Sequence, residues 1–93
     1  MSDKKNKNVV LINEIDNTSV ACNDFIKGEN IHIQDKTIVL LDDVKIAHKI
    51  AICDIKNGET ILKYGVSIGS ATKDIKSGEL VHIHNMKSNY IAI

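Results

Sequence analysis

The chain has 93 residues, 12 basic and 12 acidic side chains, and a formal net charge of zero. That is enough for one domain, leaves no basic footprint for nucleic acid, and offers no apolar run near the roughly 20 residues that span a bilayer. A domain of this size buries only about 60–65% of the surface its unfolded chain exposes, so a deep enclosed active site is hard to build from it alone.

Residues 1–8, MSDKKNKN, are polar and read as a disordered tail. They lack the apolar core of a signal peptide, which points to a cytoplasmic protein. The remainder holds no Pro, no Trp and only three aromatic residues, while Ile and Val are plentiful. Such a composition favours pleated, half-buried surfaces. Strands are predicted at 9–15, 31–33, 37–41, 46–52, 60–65, 66–72 and 80–86, and no window keeps a helical period. The fold class is all-β, with the domain at 9–88 and a C-terminal tail at 89–93.

The connectors repeat. DFIKGE (24–29), DIKNGE (54–59) and DIKSGE (74–79) each run from Asp through an apolar residue to Gly-Glu. The Asp is expected to accept backbone amides two or three residues on, forming a turn or single helical turn. The apolar residue pins the turn to the core. Gly28, Gly58 and Gly78 supply positive φ for the exit into a strand. Three copies at unequal intervals make a structural device rather than a solenoid. Gly65 and Gly69 flank VSI within a β-rich stretch, marking a bend, a close backbone approach or a ligand-facing segment. Cys22 and Cys53 are isolated thiols without ligand spacing, and read as packing residues.

His82 and His84, in VHIHN, would leave one face of a strand together. That spacing is compatible with half a metal site, with an acid/base pair, with polar residues facing a cleft, or with a solvated face. A self-contained metal site would need His48 or His32 to complete the set, and no carboxylates cluster nearby. The metal assignment for this chain is therefore none. His32, in IHIQD, reads as structural. Alternation in ILKYG points Lys63 toward solvent or a partner and Tyr64 toward the core.

Taken together, residues 48–88 resemble the N-terminal domain of the altronate dehydratase family. The resemblance rests on His48, Lys49, Ala51, Gly58, Glu59, Lys63, Tyr64, Gly65, Ile68, Gly69, Gly78, Glu79, His82, His84 and Asn85. DNTSVACNDFIKGE (16–29) resembles the family's opening segment. One departure is Ala47, where the family often has Gly. The resemblance implies a SAF domain of β-clip fold, with bent hairpins and single-turn helical connectors. It also implies an accessory subunit or N-terminal domain of a sugar-acid hydro-lyase, similar to the alpha subunit of sulfolactate sulfo-lyase and inactive alone. Its partners would be a larger catalytic chain and a sugar-acid substrate, with no nucleic acid or membrane and with self-association left open. His48, His82 and His84 would serve as catalytic residues, and Lys63, Tyr64 and Asn85 would bind substrate. This chain alone would bind no cofactor, and a divalent metal, iron by preference, would act in the complete enzyme. The alternative is a non-catalytic module that binds carbohydrate or a partner protein.

Overall fold

The computed structural model describes residues 7–11 and 13–88. Its strands are β1 (Val9–Val10), β2 (Thr18–Ala21), β3 (Asn30–Ile33), β4 (Lys36–Val39), β5 (Lys49–Ala51), β6 (Thr60–Lys63), β7 (Val66–Ala71), β8 (Leu80–Val81) and β9 (Met86–Ser88). They form three antiparallel sheets, ordered β1-β2-β5-β8, β3-β4 and β6-β7-β9. The all-β expectation holds, and the short bent hairpins are consistent with a β-clip. The expected helical connectors are not there: no helix occurs among the described residues.

The connectors are instead turns locked in pairs. Phe25 bridges Val44, and Ile55 bridges Ile75. Within each pair the aspartates reach across. Asp24 accepts the Ile46 N–H at 2.8 Å and Asp43 accepts the Lys27 N–H at 2.8 Å. In the second pair Asp54 accepts from Ser77 and Asp74 from Asn57, both at 2.9 Å. The local closure expected of Asp is made by Glu. Glu29, Glu59 and Glu79 each accept the backbone N–H three residues before them, on Ile26, Lys56 and Lys76. Aspartate is too short to serve both ends, so the longer side chain turns back while the shorter one spans to the neighbour.

This pairing uncovers a fourth copy, Asp43-Val44-Lys45-Ile46-Ala47-His48, with Ala-His in place of Gly-Glu. Its backbone bonds match the others. The N–H groups of Gly28, Ala47, Gly58 and Gly78 donate to Leu40, Ala21, Ala71 and Ala51 respectively. The chain is thus two similar halves, each a crossed pair of turns. Each half has its own apolar cluster. Phe25, Ile31, Ile38, Leu40, Val44 and Ile50 anchor the first, and Ile55, Ile61, Ala71, Ile75 and Val81 the second. Ile50 and its neighbour Ala51 face opposite sides of β5, so this strand lies between the two clusters.

Several sequence expectations are corrected. β2 was not anticipated, because Thr18 and Ser19 are polar yet fully buried. The predicted strand at 9–15 is a strand only over Val9–Val10, with Asn13–Asp16 closing a turn through Asp16 N–H to the Asn13 carbonyl. Ile12 lies outside the described residues. The predicted strand at 46–52 shortens to β5, because Ile46 and Ala47 belong to the fourth turn. Of the tail at 1–8, Lys7 and Asn8 are held in place. Lys7 pairs with Glu29 at 2.9 Å, and Asn8 exchanges bonds with Asn23 and Cys22. Residues 1–6 and 89–93 lie outside the described residues.

Gly69 answers the question of bend or ligand. It sits in β7 beside a bulge in the β6–β7 register, and a Cβ there would strike the Lys87 carbonyl of β9. The position serves close backbone packing. Cys22 is half-buried and Cys53 exposed at its surface, both as free thiols. Partial burial pushes the Cys53 thiol above its ordinary value, which makes it a poorer nucleophile.

Two consequences can be measured. Interaction with the Ile26 N–H, then with Lys7, holds the Glu29 carboxyl below its ordinary 4.5. Its support for the first turn is therefore complete above that value and is lost as pH falls through the folded-state pKa. Ala47 has φ of +75°, where an L-residue carries about 1–2 kcal/mol of strain, partly offset in a Gly variant by unfolded-state entropy. Ala47→Gly is expected to gain about 0.5–1 kcal/mol, raising Tm by roughly 2–8 °C. An unchanged or lower melting temperature would contradict strain at this turn.

Candidate functional site

The last paired residues of the β5–β8 ladder are Lys49 and Val81. One rung further, His48 and His82 face each other, with ring centroids 5.2 Å apart in an edge-to-face arrangement. His48 reaches this place as the last residue of the divergent fourth turn. In the other three turns that position is Glu, and its carboxylate closes the turn. In the fourth, the side chain is released from that duty. His48 Nδ1 lies 3.3 Å from the Ile46 carbonyl. A carbonyl can only accept, so in this contact Nδ1 is the donor.

His82 and His84 do not share a strand face. β8 ends at Val81, and residues 82–85 form a turn with Asn85 N–H and Met86 N–H both donating to the His82 carbonyl. Asn85 is the clasp of this turn. It is 1% exposed, its Oδ1 accepts the His82 N–H at 2.9 Å, and its Nδ2 donates to the Leu80 carbonyl at 2.8 Å. The amide is committed to the backbone, so Asn85 fixes where His82 stands rather than lying open at the surface. His84 is exposed at the tip beside Ile83, which is 82% exposed. His32 belongs elsewhere, its Nδ1 3.0 Å from Thr37 Oγ1 across the β3–β4 hairpin.

The β6–β7 hairpin reaches the same region through residues 16–18. Thr18 Oγ1 donates to the Leu62 carbonyl, while Asn17 accepts the Leu62 N–H and donates to the Thr60 carbonyl. Asp16, 6% exposed, accepts N–H groups from Asn13, Tyr64 and Gly65. This clamp holds a two-residue turn in which Tyr64 and Gly65 have φ of +58° and +75°. Asn or Gly normally fills such positions, and a bulky residue there is an outlier. Alternation fails at this point because the chain reverses. Tyr64 is therefore not core-facing but 48% exposed at the hairpin tip.

Lys63 is half-buried, with Nζ 5.0 Å from the centre of the Tyr64 ring. Its charge reaches Lys49 on β5. Burial first, and Lys63 second, push the Lys49 ammonium below its ordinary 10.5. Lys49 is the residue that sequence reasoning passed over as a functional candidate. Its signal was a lysine inside an apolar strand next to His48. The segments HKIAI and VHIHN thus supply the His48–His82 pair, while Lys49, one residue on, faces the other side of β5. Among the described residues no three His, Cys, Asp or Glu side chains converge in a way that could hold a metal ion.

The crossed turns and bent antiparallel hairpins are consistent with a SAF-type domain. The family model for the altronate/galactarate dehydratase SAF domain matches residues 7–89, and the chain belongs to that family. It is 43% identical over 83 residues to the altronate dehydratase of Bacillus subtilis strain 168, covering 89% of this chain and 17% of that protein. Against the altronate dehydratase of Escherichia coli strain K12 it is 39% identical over 80 residues, covering 86% of this chain and 16% of that one. The (2R)-sulfolactate sulfo-lyase subunit alpha of Chromohalobacter salexigens is 44% identical over 57 residues, which is 59% of this chain and 61% of that subunit. The chain therefore spans about a sixth of the altronate dehydratases it matches.

The Lys49–Lys63 coupling can be tested directly. Removing the second positive charge with Lys63→Met is expected to raise the pKa of Lys49, read by carbon-13 NMR of labelled lysine side chains. A fall or no change would separate the two residues.

Proposed function

We propose that this chain is the accessory module of a sugar-acid hydro-lyase and completes an active site together with a larger catalytic chain. The observation that carries this reading is the paired imidazole of His48 and His82 on an open edge, in a domain whose relatives include a separately named alpha subunit. Loss of water from a hydroxy acid needs a base for the proton beside the carboxylate and an acid for the departing hydroxyl. Two adjacent imidazoles fit the proton-handling half of that task. His84, at the exposed tip, would approach the substrate from the same turn that Asn85 fixes. Tyr64, presented at the hairpin tip, would contact substrate or the larger chain.

The ligand set for a metal is not present among the described residues. A divalent metal, with iron as the candidate, would be held by the larger chain.

The test is turnover of altronate and galactarate, with ferrous iron supplied, by the chain alone and by the chain co-purified with its larger partner. The chain alone is expected to be inactive. In the complex, His48→Ala and His82→Ala should each lower kcat by about 100-fold or more, the usual range for loss of a general acid or base. His84→Ala should also reduce activity while melting as the parent does. Unimpaired kinetics in both His48 and His82 variants would refute the catalytic reading.

A further inference from the structure

The strand that leads into His82 is weakly seated. β8 lies at the edge of the four-stranded sheet, in the order β1-β2-β5-β8, and is two residues long. Two rungs tie it to β5, Ile50 opposite Leu80 and Lys49 opposite Val81. So short a ladder does little to fix its own register, and a slip by one residue would turn His82 to the other face. The side of β8 away from β5 has no strand to pair with. Its backbone groups are met by side chains instead. Asn85 takes the His82 N–H and the Leu80 carbonyl. Asp42 Oδ2 accepts the Leu80 N–H at 3.0 Å.

The two caps act differently. Asn85 belongs to the same turn as His82, so it shapes that turn but cannot hold it against the rest of the molecule. Asp42 is 38 residues from Leu80 in the chain, and it stands between two other ties. Leu41 N–H donates to the Gly78 carbonyl at 2.9 Å, gripping the turn before β8. Asp43 accepts the Lys27 N–H at 2.8 Å and opens the fourth turn, which ends at His48. Residues 41–43 therefore join the base of the His48 turn to the entry of the His82 strand. We propose that Asp42 is a positioning residue for the His48–His82 pair. By holding the Leu80 N–H it locks the register in which the two rings stand 5.2 Å apart. An ionised carboxylate is a stronger acceptor than a neutral group, and Asp42 is half-buried. It acts on the pair through the backbone, from a contact two residues before His82. The positioning stands on these bonds alone; its consequence for catalysis rests on the dehydratase reading.

The experiment uses the full chain with labelled histidine rings and backbone nitrogen. The parent is expected to show nuclear Overhauser contacts between the His48 and His82 rings and a protected Leu80 amide. Asp42→Ala should abolish the ring contact and speed Leu80 amide exchange about tenfold or more, while the His32 signals of the β3–β4 hairpin stay as in the parent. Asp42→Asn keeps an acceptor oxygen in the same place and should restore both. Asp42→Glu moves the carboxylate by one carbon and should weaken the ring contact, which keeps the test usable if Asp42→Ala does not fold. In the complex with the larger chain, Asp42→Ala should lower kcat by about tenfold to 100-fold and leave KM within about twofold. Absence of the ring contact in the parent, its persistence in the folded Ala and Glu variants, or failure of Asp42→Asn to restore it overturns the positioning role. Loss of the ring contact with undiminished kcat refutes the proton-handling role proposed above and leaves the positioning role standing.

Discussion

The exchange of hydrogen bonds between paired turns governs this molecule. Each aspartate accepts an amide from the opposite turn, and each apolar residue beside it bridges to its counterpart. Charge-assisted bonds of this kind exceed ordinary amide–carbonyl ones in strength. They also do what a small core cannot do alone. The strands are two to six residues long, too short to fix their own register firmly. The crossed turns set the distance and angle between them, and so decide which strand ends meet.

The site follows from that constraint. His48 and His82 are neighbours because the fourth turn delivers one to the start of β5 and the second half delivers the other to the end of β8. The turn itself survives the loss of Gly-Glu because its bridge, its cross-brace and its backbone bonds remain in place. Only the local closure and an unstrained φ are given up. A structural element present four times can thus spare one copy for chemistry.

Much of this was legible in the sequence, and the reasons for the rest are physical. The repeated Asp…Gly-Glu segments and the lack of helical periodicity gave the all-β class and the turn positions. The fourth turn escaped because its signature letters, Gly and Glu, are the two that changed. β2 escaped because Thr18 and Ser19 are buried polar residues, invisible to a hydrophobic pattern. VHIHN reads as alternation, yet Asn85 folds its second half into a turn. Tyr64 was misplaced because alternation was carried through a chain reversal. Lys49 stood within the recognised His-Lys pair, but its burial depends on strands more than 25 residues away in either direction. Single-sequence patterns report local geometry, and each of these features is set by a distant segment.

The clamp formed by Asp16, Asn17 and Thr18 has a kinetic consequence. It joins residues separated by more than 40 positions, and the β6–β7 tip gains its anchor only when that long loop closes. Closure of so long a loop is entropically costly and late contacts of this type slow folding. Contacts of this kind raise the mean sequence separation of the fold, which is high throughout because no helix supplies local contacts among the described residues.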